Sequence, residues 1–195
     1  MRYFESTKDA IIYENSANAD PEVVKKQDRE FLRKVRLYYK HLDKIADRLG
    51  PGAYKFFRWG WGETCLHDGF LLCLSMGDAV AQAEDDYHRL RFGRPGNSKS
   101  VVQLRALSYE KELLHTFTFK GLRKVVVDIP SAKPLWFTAG KTLGQIYSYE
   151  VSAASSKYLR CEWLLDSGGT ITVEFQKLMY RCEKVSIIKK RAGGR

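Results

Sequence analysis

Six to eight short strand-like segments follow one another in the C-terminal two-thirds of the chain, and no long helical crossover separates them. In the clearest pair, apolar and polar residues alternate through KYLRCEWLL (157–165) and TITVEFQ (170–176), which the turn-forming run DSGG connects. Parallel strands need a crossover of a dozen or more residues, whereas antiparallel neighbours need only a turn. The pattern therefore predicts an antiparallel sheet with an inward apolar face on each strand, folded as a β-sandwich or a partly closed β-barrel.

The other strand-like segments are FLLCLSM (70–76), VVQLRAL (101–107), HTFTF (115–119), LRKVVVDI (122–129), GQIYSYEVS (144–152) and KVSII (184–188). The segment AVAQAEDDYHRLRF (79–92) fits either a helical or a strand period. Alanines and charges dominate its first half, so we expect a short helix there.

A long amphipathic helix is predicted ahead of the sheet. Asp20 suits the N-cap, Pro21 suits the first helical position, and Glu22 lies in the first turn. Gly50 and Pro51 then provide a stop. Apolar residues recur at spacings of three, four and seven, namely Val24, Phe31, Val35, Tyr38, Leu42, Ile45 and Leu49. The predicted fold class is therefore α+β, with a long N-terminal helix packed on the antiparallel β-sandwich or partly closed β-barrel.

The chain divides into an N-terminal helical extension (1–53), an antiparallel β-domain (54–188) and a basic tail (189–195). No apolar run approaches the ~20 residues that span a bilayer, and the N-terminus lacks the features of a signal peptide. The four cysteines are far apart and form no C-x-x-C pair, which favours reduced thiols. We expect a cytoplasmic protein without a membrane segment, and the sequence leaves the oligomeric state open.

The formal net charge of +10 suggests an acidic protein partner or a polyanion. No block of five or six like charges occurs, however, and a nucleic-acid footprint requires clustered rather than merely excess basic residues. The charge therefore favours a solvated basic surface over a nucleic-acid interface.

The stretch WGWGETCLHDGF (59–70) concentrates residues with binding chemistry. In an extended backbone Trp59 and Trp61 share a face, where they would form an aromatic platform for a planar ligand or a base. Trp136 would extend this platform if it lay beside them. The favoured interpretation is that the indoles are buried anchors against the helix.

His67 and Asp68 offer a proton acceptor and a carboxylate, or two metal ligands. Adjacent strand residues face opposite ways, so the pair converges only where the chain turns, and Gly69 suits such a turn. A catalytic metal site needs a third protein ligand, which the spacing does not select. We therefore favour a structural turn and assign no catalytic residue, metal or cofactor. The candidate binding residues are Trp59, Trp61, His67, Asp68 and Trp136.

The stretch WGWGETCLHDGFLLCLSM resembles a family of uncharacterised bacterial proteins, a domain of unknown function. In that family a tryptophan-containing lead-in and an L-H-D-(G/S/A) motif open an antiparallel β-domain, and the matching residues here are Trp59, Trp61, Leu66, His67, Asp68 and Gly69. The later FTFKGLRKVVVDIP and CEWLLDSGGTITVEF are similar to its strands, so the resemblance covers residues 54–188. It implies no established activity, although some similar β-domains look like immunity or partner-binding proteins encoded beside bacterial toxins.

Three functions are thus carried forward. The first is a non-enzymatic, immunity-like or interaction β-domain that binds a protein, with an acidic partner fitting the charge. The alternative is binding of RNA or single-stranded DNA through aromatic and basic surface. A further alternative is a metal-dependent enzyme that uses His67 and Asp68.

Overall fold

Two helices precede an antiparallel sheet. The structure, a computed structural model, describes residues 21–59, 65–76, 79–82, 101–128, 143–166 and 168–185. The helices are α1 (Pro21–Leu49) and α2 (Pro51–Trp59), and the strands are β1 (Phe70–Met76), β2 (Ala79–Gln82), β3 (Val101–Leu107), β4 (Leu113–Lys120), β5 (Lys124–Asp128), β6 (Gly144–Ala153), β7 (Leu159–Leu165), β8 (Thr170–Phe175) and β9 (Lys177–Lys184).

Every described strand pairing is antiparallel, in the order β5-β8-β7-β6-β1-β3-β4-β9, and β2 also pairs with β1. The predicted α+β class with an antiparallel sheet is confirmed. Neither described helix is long and apolar enough to cross a membrane.

The predicted long helix is confirmed, and it ends where Gly50 takes a φ of 77°. Its apolar stripe is buried only in the second half, through Tyr38, Leu42, Ile45 and Leu49. The backbone N–H of Val151 donates to the Tyr38 hydroxyl at 3.1 Å, which ties α1 to β6. Burying each such leucine contributes about 1.5–3 kcal/mol, so the C-terminal half holds α1 in place.

Helix α2 was not predicted, because the Gly50–Pro51 stop was expected to end helical structure. Proline is well suited to the first turn of a helix, and Pro51 instead begins a second one. Ala53, Phe56 and Phe57 are buried on its inner face, so α2 joins the sheet core. The predicted division between residues 53 and 54 falls inside α2.

One prediction needs correction, and one strand was missed. Ala79–Gln82 is strand β2 rather than the start of a helix, because it pairs with β1 from Cys73 to Met76. The remainder of that segment, 83–92, lies outside the described residues. Strand β9 begins at Lys177 and was not predicted, and residues 186–188 of the predicted segment 184–188 lie outside the described residues. Four charged residues in KLMYRCEK masked its alternation, in which Leu178 is buried and Met179 is exposed.

One long antiparallel pairing is interrupted near its middle. Residues 113–128 pair with residues 170–184 on both sides of the interruption, as β4 with β9 and as β5 with β8. Gly121 takes a φ of 64° there, and a Cβ at this position would lie 2.8 Å from the side-chain oxygen of Gln176. The inner faces meet in an aromatic core, whose largest member is Trp163. Cys161 is a free thiol buried in the same core.

Candidate functional site

His67 and Asp68 occupy a tight turn that leads into β1. The Gly69 amide donates to the Leu66 carbonyl at 3.0 Å, and Asp68 takes a left-handed φ of 62°. A Cβ at Gly69 would lie 2.6 Å from the carbonyl oxygen of Leu107, so only glycine fits. The turn predicted from Gly69 is therefore present in the structure.

The turn brings the two side chains together. Nδ1 of His67 lies 2.9 Å from Oδ2 of Asp68, and Nε2 of Gln145 lies 3.5 Å from Oδ1 of Asp68. A carboxylate at Nδ1 favours the tautomer in which Nε2 is the free acceptor. The side chains are 46% and 52% exposed, however, so solvent screens the pair, and such surface pairs contribute about 0–1 kcal/mol. The geometry is that of a local turn contact.

The neighbourhood of this turn includes Tyr147 and Cys65. The rings of His67 and Tyr147 have centroids 5.5 Å apart, and β6 carries an irregularity between Ile146 and Ser148 that sets Tyr147 off the regular register with β7. The backbone N–H of His67 donates to Sγ of Cys65 at 3.3 Å. Within the described part of the chain, no three histidine, cysteine or acidic side chains are grouped to hold a metal ion.

Trp59 lies elsewhere, at the C-terminal end of α2, and it is neither extended nor buried. It is 64% exposed, which contradicts the favoured interpretation of a buried anchor. The guanidinium carbon of Arg58 lies 4.5 Å from the Trp59 ring centroid and 4.0 Å from that of Tyr39. These three residues form a cation–π arrangement that we call the Arg58 stack. Trp61 and Trp136 lie outside the described residues.

The Arg58 stack is fixed by an acidic neighbour on α1. Nε of Arg58 lies 3.5 Å from Oδ1 of Asp43, and the hydroxyl of Tyr54 donates to the same oxygen at 2.7 Å. This hydrogen bond raises the pKa of Tyr54 above its ordinary value. The Arg58 side chain is only 20% exposed, so its guanidinium lies packed between Tyr39 and the exposed Trp59 ring.

The stack continues onto one face of α1. Leu32, Arg36 and Tyr39 lie at positions i, i+4 and i+7, and so share that face. Leu32 is 52% exposed, although it is a large apolar side chain. We call Leu32, Arg36, Tyr39, Arg58 and Trp59 together the helical face.

The same two helices carry a net positive charge. Residues 21–59 contain eleven lysines and arginines and five acidic residues, a net charge of +6 out of the +10 of the whole chain. Sequence reasoning missed Tyr39 and Arg58 as site residues. The available signal was Tyr39 itself, an aromatic residue adjacent to the apolar stripe rather than part of it.

A further polar constellation lies inside the fold, beside the Phe56 ring. His115 is fully buried on β4, and its Nδ1 lies 2.9 Å from the hydroxyl of Tyr180. Its Nε2 is buried and has no hydrogen-bond partner among the residues that the structure describes. Burial lowers the pKa of His115 to about 4, so the ring is neutral in the folded protein at neutral pH. Because the His115 ring is buried while Tyr180 is only partly buried, we expect the protonation of His115 to affect stability.

Strand β8 carries a carboxylate that two arginines cover. Glu174 is 4% exposed, and its Oε1 accepts from Nη2 and Nε of Arg160 at 2.8 and 3.1 Å. Nε of Arg123 lies 3.4 Å from the other carboxylate oxygen. The two arginines compensate the buried charge, which identifies a structural ion-pair network.

The structure therefore joins His67 to Asp68 and places Trp59 in a separate cluster; no described hydrogen bond or ring contact links the two. No protein-family model, curated protein or solved structure matches this chain.

Proposed function

We propose that this chain is a non-enzymatic protein-binding module, and that an acidic protein docks on the helical face. The observation that carries the proposal is the Arg58 stack, with an exposed tryptophan held against an arginine that rests on Tyr39. The site moves from the β-domain, where the sequence placed it, to the two helices.

The residue types of the helical face are those that dominate binding energy at protein interfaces. Tryptophan, tyrosine and arginine are the residues most enriched among interface hot spots. Because Asp43 and Tyr39 already hold Arg58, little side-chain entropy is lost when a partner arrives. The net charge of +6 on residues 21–59 complements an acidic surface and would accelerate encounter with it.

The aliphatic residue of the helical face favours protein over nucleic acid. A base gains by stacking on Trp59, and a phosphate gains by pairing with Arg36 or Arg58. Leu32, at 52% exposure, can neither stack on a base nor pair with a phosphate. An apolar side chain of a protein partner, by contrast, would cover it and bury its apolar surface.

The proposal is tested by affinity capture with tagged protein from a native lysate of the source cells. Wild type should retain a stoichiometric acidic protein, and retention should decline with salt. Trp59→Ala and Arg58→Glu should lose it. Tyr109→Ala is the matched control, because Tyr109 is 58% exposed but lies on the β3–β4 turn. Equal capture by wild type and Trp59→Ala, or no stoichiometric partner at all, would contradict the proposal.

The nucleic-acid alternative is separated by the same variants. If captured material disappears on nuclease treatment, and Trp59→Ala weakens binding of mixed-sequence oligonucleotides by about 1–3 kcal/mol, the ligand is single-stranded nucleic acid. The metal-enzyme alternative relies on His67 and Asp68, and it would require a third ligand from beyond the described residues.

The proposal retains three finer expectations. The interrupted pairing of 113–128 with 170–184 supports a partly closed barrel, with α1 lying against β6 and β9. Four free cysteines support a reducing, cytoplasmic location. The L-H-D-G motif, which forms the turn into β1, supports membership of the uncharacterised bacterial family that the sequence resembles.

A further inference from the structure

The two terminal strands of the strand order differ in whether other elements of the chain contact them. At one end, β9 contacts α1 and α2, and the helix junction lies against its backbone. A Cβ at Gly52 would lie 3.6 Å from the carbonyl oxygen of Tyr180. At the other end, β5 (Lys124–Asp128) pairs with β8, and no other strand of the described chain pairs with it. An unpaired edge presents backbone donors and acceptors that can template another strand.

The sequence of β5 is self-complementary in antiparallel pairing. With two copies of KVVVD centred on Val126, Lys124 of one copy lies opposite Asp128 of the other, and the same pair recurs at the far end. Val125 then lies opposite Val127 of the second copy, so all five positions are matched. A slip of the register by one residue sets one charged residue of each copy opposite a valine, leaves the other opposite a position outside β5, and turns the strand over.

The burial of β5 fits this arrangement. Val125 and Val127 pack against the core but stay partly exposed, and Val126 is 39% exposed on the outer surface. Three consecutive β-branched residues have high strand propensity, so the edge favours strand pairing. A lysine on an edge strand usually discourages pairing, but Asp128 supplies its complement in a second copy.

Charge also permits this contact in a strongly basic protein. The two ionised side chains of β5 cancel, so the strand is neutral within a chain of net charge +10. The neighbouring Arg123 is already engaged, because its Nε lies 3.4 Å from Oε2 of Glu174 and its guanidinium carbon lies 5.5 Å from the Tyr158 ring centroid.

We propose that two copies of this chain form a symmetric dimer by antiparallel pairing of their β5 strands, centred on Val126, with Lys124 of each copy paired to Asp128 of the other. A two-fold axis makes both halves of the contact identical, as in an isologous dimer. The pairing extends the sheet from one copy into the next along the edge of β5 that no strand of the described chain occupies. It is independent of the helical face.

Charge exchange tests the pairing. Sedimentation velocity over a concentration series should show a reversible dimer for wild type. Lys124→Asp places two carboxylates opposite each other at both ends of the contact, and Asp128→Lys does the same with two lysines. Each change should raise the dimer dissociation constant about tenfold or more.

Restoration is the decisive result. An equimolar mixture of Lys124→Asp and Asp128→Lys should form a heterodimer, because every facing pair is again of opposite sign, and the double variant should recover the wild-type constant. Arg181→Glu on β9 and Trp59→Ala should both leave the dimer unchanged. The proposal is overturned if wild type stays monomeric at its highest soluble concentration, or if the single variants dimerise as wild type does. It is also overturned if the mixture stays monomeric, or if Arg181→Glu loses the dimer.

The fold of each variant is checked by thermal melting. Lys124 lies opposite Glu174 in the β5–β8 pair, so Lys124→Asp sets two carboxylates opposite each other and threatens stability. Asp128 lies opposite Thr170, so Asp128→Lys creates no such repulsion. If Lys124→Asp is unfolded, Asp128→Lys alone decides. A folded, monomeric Asp128→Lys supports the pairing, and a dimer of wild-type strength refutes it.

Discussion

Acidification from about pH 7.5 to about pH 5 should destabilise the fold by about 2 kcal/mol through one residue, His115. Burial lowers the pKa of His115 from its ordinary 6.5 to about 4 in the folded protein. The unfolded chain therefore takes up the proton first, and the free energy of unfolding falls as the pH drops through this window. Each unit of difference is equivalent to about 1.4 kcal/mol, so the loss approaches about 3 kcal/mol near pH 4 and then levels off.

The structural basis is that the described neighbours of His115 supply no negative charge to a protonated ring. His115 is fully buried, its Nδ1 is 2.9 Å from the Tyr180 hydroxyl, and the Phe56 ring lies 5.7 Å from the imidazole between centroids. Burial also raises the pKa of Tyr180, so that hydroxyl stays neutral and provides no counter-charge. Protonation would thus place an unpaired cation in an aromatic interior.

The assay is urea unfolding followed by tryptophan fluorescence at several pH values from 7.5 to 5. His115→Phe should remove about 2 kcal/mol of the pH dependence, whatever its effect on absolute stability. His67→Gln is the control, because His67 is exposed and its removal should leave the His115 contribution intact. If wild type and His115→Phe lose the same free energy over this range, burial does not depress the pKa of His115 and the argument fails.

Three further changes test the fold by denaturant titration at neutral pH. Gly69→Ala should lower the free energy of unfolding by about 1–3 kcal/mol, because its Cβ would lie 2.6 Å from a backbone carbonyl oxygen of β3. An unchanged free energy of unfolding would mean that the turn into β1 accommodates a Cβ. Arg160→Met should cost about 3 kcal/mol because it leaves the buried Glu174 carboxylate undercompensated, and the double variant with Glu174→Gln should recover part of the loss. Leu42→Ala should cost about 2–5 kcal/mol, against under about 0.5 kcal/mol for Leu37→Ala at 43% exposure; equal effects would refute the docking of α1.

The candidate site shows where sequence reasoning stops. The turn at His67–Asp68 was predictable, because Gly69 and the alternation of the following strand are local signals. The Arg58 stack was not predictable, because its members come from two helices that meet only after the chain reverses at Gly50. Trp59 was misread for a local reason, since an extended backbone was assumed where Pro51 begins α2.

The sequence by itself determined the long helix, the antiparallel class and most strand bounds, because periodicity, capping residues and turn residues act over a few neighbours. The tertiary structure alone decided which surfaces remain open. Only packing shows that α1 is buried from Tyr38 onwards, that Trp59 faces solvent, and that β9 is covered while the described sheet ends at β5. Burial depends on contacts between residues far apart in the chain, and no local pattern records them. The same separation explains His115, whose strand position was readable but whose enclosure by Phe56 and Tyr180 was not.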